Sequence, residues 1–242
     1  MDYISEYKKL KERGFPFSET IDFSVALGKS DEIETHFKLY CMEMELPQRE
    51  RIANLHATFS NHGRAGGEYL MSRLNDDDNV ASHAAYLLAS FRVYDFCGYS
   101  ADEKATIRQV LSRLSESDAP KVRRRSLIAI GWIGSEAEIP LLNRHLLTDN
   151  DALCRAWSAS SFLQLAGCER IPREVIQAIT RDILIECLKT EKDVFVKGVA
   201  VEAIMEVWNT SFGLRSSAVD ARNEKAVERA AKKALLFLEQ NK

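Results

Sequence analysis

The chain has little glycine and proline, eleven and five in 242 residues. That scarcity excludes collagen-like and low-complexity chains and suits helices joined by short turns. It has five cysteines, Cys41, Cys97, Cys154, Cys168 and Cys187, an odd number without CxxC spacing. Neither a disulfide framework nor a thiolate zinc site is expected; buried, reduced thiols are. No apolar run approaches the roughly 18 residues that a membrane span needs, and the start, MDYISEYKKLKERG, lacks the apolar core of a secretory signal. A cytoplasmic protein is the expectation. His36, His56, His62, His83 and His145 form no HxxxH pair and have no CxxH partner, so no metal is expected. There is no GxSxG, no Cys-His signature, no GxGxxG and no P-loop. The expectation is a protein without cofactor and without catalytic residues. The formal net charge of −3 argues against a dedicated nucleic-acid binder.

What is present is a repeated helical pattern, clearest from 118 to 167. Val122, Ser126, Leu127, Ala129, Ile130 and Ile133 recur with a 3.6-residue period, and Gly134 closes the run. Related segments begin at Val80, Cys154 and Val196, giving starts 42, 32 and 42 residues apart. Small residues at the fourth and fifth positions let neighbouring helices approach. Branched and aromatic residues at the eighth and eleventh fill the space between layers. One helix pair cannot bury its own faces, so the copies must stack. Preceding partner helices are read at 102–115, 136–147 and 172–189.

The ends are less regular. Four helices are expected before residue 65: 2–13, 18–27, 31–45, and one opening at Pro47 that carries Ile52, Leu55 and Phe59 to a break at His62-Gly63. The 221–239 stretch places Ala226, Ala230, Ala234, Leu235 and Leu238 on one face and charges on the other. It reads as the capping helix of the open end.

The segments VRRRSLIAIGWIG at 122–134 and EIPLLNRHLLTDNDALCRAW at 138–157 resemble the HEAT-repeat family, particularly its short bacterial, bilin-lyase-type repeats. The resemblance covers about Gly66 to Trp208. It implies an all-α fold, a right-handed α-α superhelix in one solenoid domain over 1–242. Divergent helical pairs would occupy 1–65, repeats 66–209 and the cap 216–242. It also implies a ladder of charges between repeats, matched by Asp78, Asp151 and Asp193 with Arg123, Arg155 and Lys197. Ala81 takes the basic place in the first copy.

In such stacks the second helices line a concave face. Positions three, six and ten residues beyond each start should point into it. They are His83, Tyr86 and Ser90; Arg125, Ile128 and Trp132; Trp157, Ser160 and Gln164; Val199, Glu202 and Glu206. The expected partner-binding set is His83, Tyr86, Arg125, Trp132, Trp157, Gln164, Glu202 and Glu206. Tyr, Trp and Arg often dominate interfaces, although Trp132 and Trp157 fit a core equally well. The run Lys121, Arg123, Arg124, Arg125 spreads over several helix faces and is not one basic patch. Asp76, Asp77 and Asp78 lack calcium-loop spacing and suit a helix cap. The connection at 92–101 carries Tyr94, Phe96 and Tyr99, which either tuck under the stack or meet a partner.

The expected function is a non-enzymatic scaffold for one protein partner. Since some HEAT-like proteins neutralise toxins, an inhibitor or immunity-type protein against a bacterial toxin is one version. The acidic end of the groove would complement a basic toxin domain. The alternative is a DNA glycosylase for alkylated bases, which shares the helical stack but needs a basic face. A bilin-lyase-like role is a third option.

Overall fold

The computed structural model describes residues 2–46, 51, 54–91, 98–168 and 171–240. Every regular element among them is helical. The chain divides into two compact units, residues 1–100 and 101–242.

The first unit contains α1 (Tyr3–Glu12), α2 (Phe17–Gly28), α3 (Ile33–Met44), α4 (Leu55–Phe59), α5 (Gly63–Ser72) and α6 (Asp78–Phe91). Asp2 caps α1 by accepting from the Ser5 N–H. Its core is aromatic: Tyr7, Phe23, Phe37, Tyr40 and Phe59 are all buried. The expected helix from Pro47 differs. Pro47 and Ile52 lie outside the described residues, and the helix starts at Leu55 after Asn54, whose φ of 47° is left-handed. The expected break at His62-Gly63 is a corner. A 3-10 turn at Ser60–His62 meets Gly63, whose φ of 54° glycine adopts without strain, and α5 follows at once. Asp77 accepts from the Asn79 and Val80 N–H groups, which gives the acidic turn its capping role.

The second unit holds three helical pairs: α7 (Ala101–Leu114) with α8 (Pro120–Ile133), α9 (Ile139–Thr148) with α10 (Ala152–Gly167), and α11 (Arg173–Thr190) with α12 (Val194–Val207). The helices α8, α10 and α12 pack in that order as consecutive layers, and α9 and α11 neighbour each other behind them. The segments starting at 122, 154 and 196 therefore lie side by side as their repetition requires. Small residues set the spacing. Gly131 sits over the Ser161 backbone, and Ser161 Oγ lies 2.7 Å from the Leu127 carbonyl of α8. Phe162, Leu165 and Ile204 fill the interior behind that crossing.

A short helix, α13 (Ser216–Asp220), and a long one, α14 (Glu224–Gln240), close the unit. The cap begins at Glu224 rather than Ala221, because 216–220 forms a separate turn of helix. Val219 of α13 occupies the space that Gly198 of α12 leaves open. Val227, Ala230, Ala234 and Leu238 of α14 are buried. Three cations of the last pair hold the cap: Lys197 bonds Glu228 at 2.6 Å, Lys189 bonds Glu239 at 2.6 Å, and Arg181 Nε donates to the Leu238 carbonyl at 2.9 Å. The outward face stays charged, as an end repeat requires.

Asp193 caps α12, accepting from Phe195 and Val196 N–H at 2.8 and 3.2 Å. Asp193→Ala is expected to cost about 1 kcal/mol, the usual worth of such a cap, read from denaturant midpoints at constant slope.

Candidate protein-binding face

Each layer helix carries a cation near its start that pairs with an acid further along the chain, and in α8 and α10 that cation ties two loops together. Arg123 donates to the Ser117 and Asp118 carbonyls of its own loop at 2.9 and 3.2 Å. It also reaches both Asp149 oxygens, at 2.9 and 2.8 Å, and Asn150 at 2.9 Å in the next loop. Arg155 repeats the arrangement, with the Asp149 carbonyl at 2.9 Å and Glu191 at 2.7 and 3.1 Å. Lys197 completes the series with Glu228. The basic members are those the sequence implies. The acidic members are corrected: Asp149 and Glu191 carry the ladder, each two residues ahead of the expected Asp151 and Asp193. Those two aspartates are already committed as N-caps of α10 and α12.

Burial works to raise the Asp149 carboxyl. Hydrogen bonds from Arg123, the Asp151 N–H and His145 outweigh it, so it titrates below the usual carboxylate range. Glu191 is held low in the same way, burial opposed by Arg155 and two backbone N–H groups.

These pairs also account for the basic run. Arg123 is spent on Asp149 and Arg124 on Asp151, and the Arg124 hydrogen bond holds the Asp151 carboxyl well below its ordinary value. Arg125 is corrected from a groove residue to a buried one, at 9% exposure. Its Nε donates to the Lys121 carbonyl one turn back, at 3.3 Å. The arginines do not assemble a phosphate-binding surface.

The accessible face of the three layers is instead a stripe. Ile128 and Trp132 of α8, Trp157, Ser160 and Gln164 of α10, and Glu202 and Glu206 of α12 are all half-buried. Val199, expected among them, is buried. Trp157 packs edge-on to Phe195 of α12, with ring centroids 6.3 Å apart. It thus bridges two layers while staying partly open, which joins the core and groove readings of this residue. Glu206 is paired with Arg173 of α11 at 2.7 Å. Glu202 has no ion pair or hydrogen bond among the described residues. Gln164 lies against Gly131, and its Oε1 is buried without a hydrogen-bond partner.

The remaining candidates belong to the first unit. His83 is corrected to a core residue: it is 1% exposed, its ring meets Tyr40 edge-on at 5.5 Å, and Nε2 is 3.5 Å from Glu45. Tyr86 is half-buried beside His56 at 5.8 Å between ring centroids. Tyr86 lines a cleft of about 510 Å³ together with Tyr40, Glu43, Arg51 and His56. Ser90 is buried and accepts from His56. Tyr99 is buried, whereas Tyr94, Phe96 and Cys97 lie outside the described residues.

Cys154 and Cys187 are buried free thiols, and burial pushes both up to about 12, which makes them inert packing groups. Cys168 is exposed and Cys41 half-buried. Among the described residues no three His, Cys, Asp or Glu side chains gather as a metal site, and no helix is long and apolar enough to cross a membrane.

A family model described as HEAT repeats matches residues 67–162. That stretch is similar to HEAT repeats, and within the second unit the paired helices continue beyond it through α12. HEAT repeats are generally protein-interaction scaffolds and typically non-catalytic. No curated protein matches the chain.

Proposed function

We propose that the chain is a non-catalytic binding protein that seats one protein partner on the half-buried stripe of α8, α10 and α12. The observation that carries this reading is the state of the polar groups. Arg123, Arg124 and Arg155 are consumed by internal acids, and Glu206 by Arg173. Glu202 makes no ion pair or hydrogen bond among the described residues, and the half-buried aromatics Trp132 and Trp157 lie on the other two layers. An apolar, aromatic centre with one uncompensated acid at its edge suits a partner that brings a Lys or Arg next to an apolar anchor.

The finer reading is an inhibitor or immunity-type protein that occupies a basic toxin domain. Its support is the HEAT architecture together with this acidic edge. The glycosylase alternative finds no favouring observation, because the arginines it would need are paired within the fold.

Glu202→Lys is the discriminating variant, since Glu202 holds nothing among the described residues. It is expected to weaken binding of a co-purified partner at least tenfold, about 1.4 kcal/mol, with an unchanged melting temperature. Trp157→Ala should also weaken binding, with a modest loss of stability from its Phe195 contact. Unchanged affinity in both variants would place the partner elsewhere.

A further inference from the structure

Four of the five histidines lie in the first unit, and three of them hold one short segment. Residues 55–62, α4 and its 3-10 turn, are tied to α3 and α6 by three described hydrogen bonds, each through an imidazole. His36 of α3 places Nε2 3.0 Å from the Leu55 carbonyl and Nδ1 2.8 Å from His62 Nε2. His56 places Nε2 3.0 Å from Ser90 Oγ of α6.

The hydrogens follow from the partners. The Leu55 carbonyl only accepts, so His36 Nε2 carries a hydrogen. A neutral His36 ring then accepts at Nδ1, and His62 Nε2 donates to it. Ser90 Oγ spends its own hydrogen on the Leu87 carbonyl at 2.8 Å, so His56 Nε2 donates to Ser90. With all three rings neutral the bonds of His36 and His56 are satisfied, and His62 has a single N–H to share between His36 and the Ser30 carbonyl. A proton added to His36 shifts the His62 hydrogen from Nε2 to Nδ1, and it buries a full charge at a residue with 0% exposure.

We propose that these imidazoles form an acid-sensitive latch: protonation releases residues 55–62 from α3 and α6 and opens the cleft framed by Tyr40, His56 and Tyr86. The surroundings set the direction. Burial is the main influence on all three rings and lowers each of them, His36 to about 3. The neighbouring His62 lowers His36 further, whereas the Leu55 carbonyl pulls it back. The Ser30 backbone and Asp31 pull His62 back without restoring it. Glu43 and Arg51 line the cleft beside His56, and the Tyr7 hydroxyl lies 3.4 Å from Glu43. His83 faces Glu45 and Tyr40, outside the latch.

A histidine whose folded value lies below its ordinary 6.5 takes up its proton on opening. The latch is therefore fully closed above about pH 6.5 and weakens as pH falls toward the folded value. Between pH 7.5 and 5.5 the opening constant should rise about tenfold through His36 alone. His56 and His62 add to that rise.

Hydrogen–deuterium exchange of the full chain, corrected for the intrinsic pH dependence, tests this. Protection over 55–62 and the facing part of α3 should fall at least tenfold from pH 7.5 to 5.5, while α10 and α12 keep theirs. His36→Gln, which keeps a donor to Leu55 but cannot titrate, should flatten that dependence. Should the variant fail to fold, a histidine NMR titration of the unaltered protein decides. His36 remaining neutral below pH 5 supports the latch, and a folded-state His36 titrating near 6.5 overturns it. Unchanged protection over 55–62, or a loss shared equally by α10 and α12, overturns it as well.

Discussion

Replacing Arg123 by alanine is expected to destabilise the second unit by about 3–5 kcal/mol, the cost of leaving a buried charge without its partner. Arg123 is 8% exposed, and the Asp149 side chain only 3%. The substitution strips the Asp149 carboxylate of two hydrogen bonds and leaves the Ser117 and Asp118 carbonyls without their donor. Lysine would not restore the site, because one ammonium cannot span both loops with the geometry of a guanidinium. The Arg144–Glu116 pair is the control. Both of its side chains are about half exposed, at 51% and 48%, so Arg144→Ala should cost under about 1 kcal/mol. Denaturant unfolding of the two variants beside the unaltered protein makes the comparison. Equal, small losses for both would mean that the ladder does not bind the layers together.

The second large effect runs against helix propensity. Alanine in place of glycine within a helix ordinarily gains about 1 kcal/mol. At Gly131 the sign should reverse. A Cβ there would meet the Ser161 Cα at 2.9 Å and overlap the Gln164 side chain. The glutamine can swing away, but the backbone of α10 cannot without parting the layers. Gly131→Ala is expected to destabilise by about 1–3 kcal/mol, as overpacking in a filled core does, and Gly131→Val by more. A thermal melt of each variant checks it. A rise in melting temperature for Gly131→Ala would show that α8 and α10 do not cross this closely.

Much of the second unit is legible in the sequence because stacking imposes a period. Ser126, Ala129 and Ile130 recur in kind as Ser158, Ser161 and Phe162, and then as Ala200, Ala203 and Ile204. Such a pattern has few structural solutions. The starts of α8, α10 and α12 and the positions of Arg123, Arg155 and Lys197 follow from it. Their acidic partners do not. Asp149 and Asp151 are the same residue type two places apart, and only the fold decides which caps a helix and which meets the next arginine. The helix α13 is hidden by its shortness, yet Gly198 signals it: a glycine inside an apolar helix marks a close approach, and Val219 makes it.

The candidate face is legible at lower resolution. Counting along a helix places Trp132, Trp157, Gln164, Glu202 and Glu206 on the accessible stripe. It also places Arg125 and Val199 there, because a count of positions does not include the width of the adjacent layer. His83 is a sharper case. In the first unit the aromatic ring of Tyr40 from α3 covers His83, so a position that stays accessible in α10 is buried in α6. The latch of His36, His56 and His62 has no sequence signature at all, since its three rings come from α3, α4 and the turn that follows.

Site-specific photo-cross-linking tests the central claim most directly. A photoreactive residue would be placed in turn at Ser160, Gln164 and Glu202 on the half-buried stripe, and at Arg144 and Asp182 on helices behind it. One and the same protein adduct from the three stripe positions, and none from the other two, is the predicted result. Adducts from Arg144 or Asp182 with none from the stripe would contradict it.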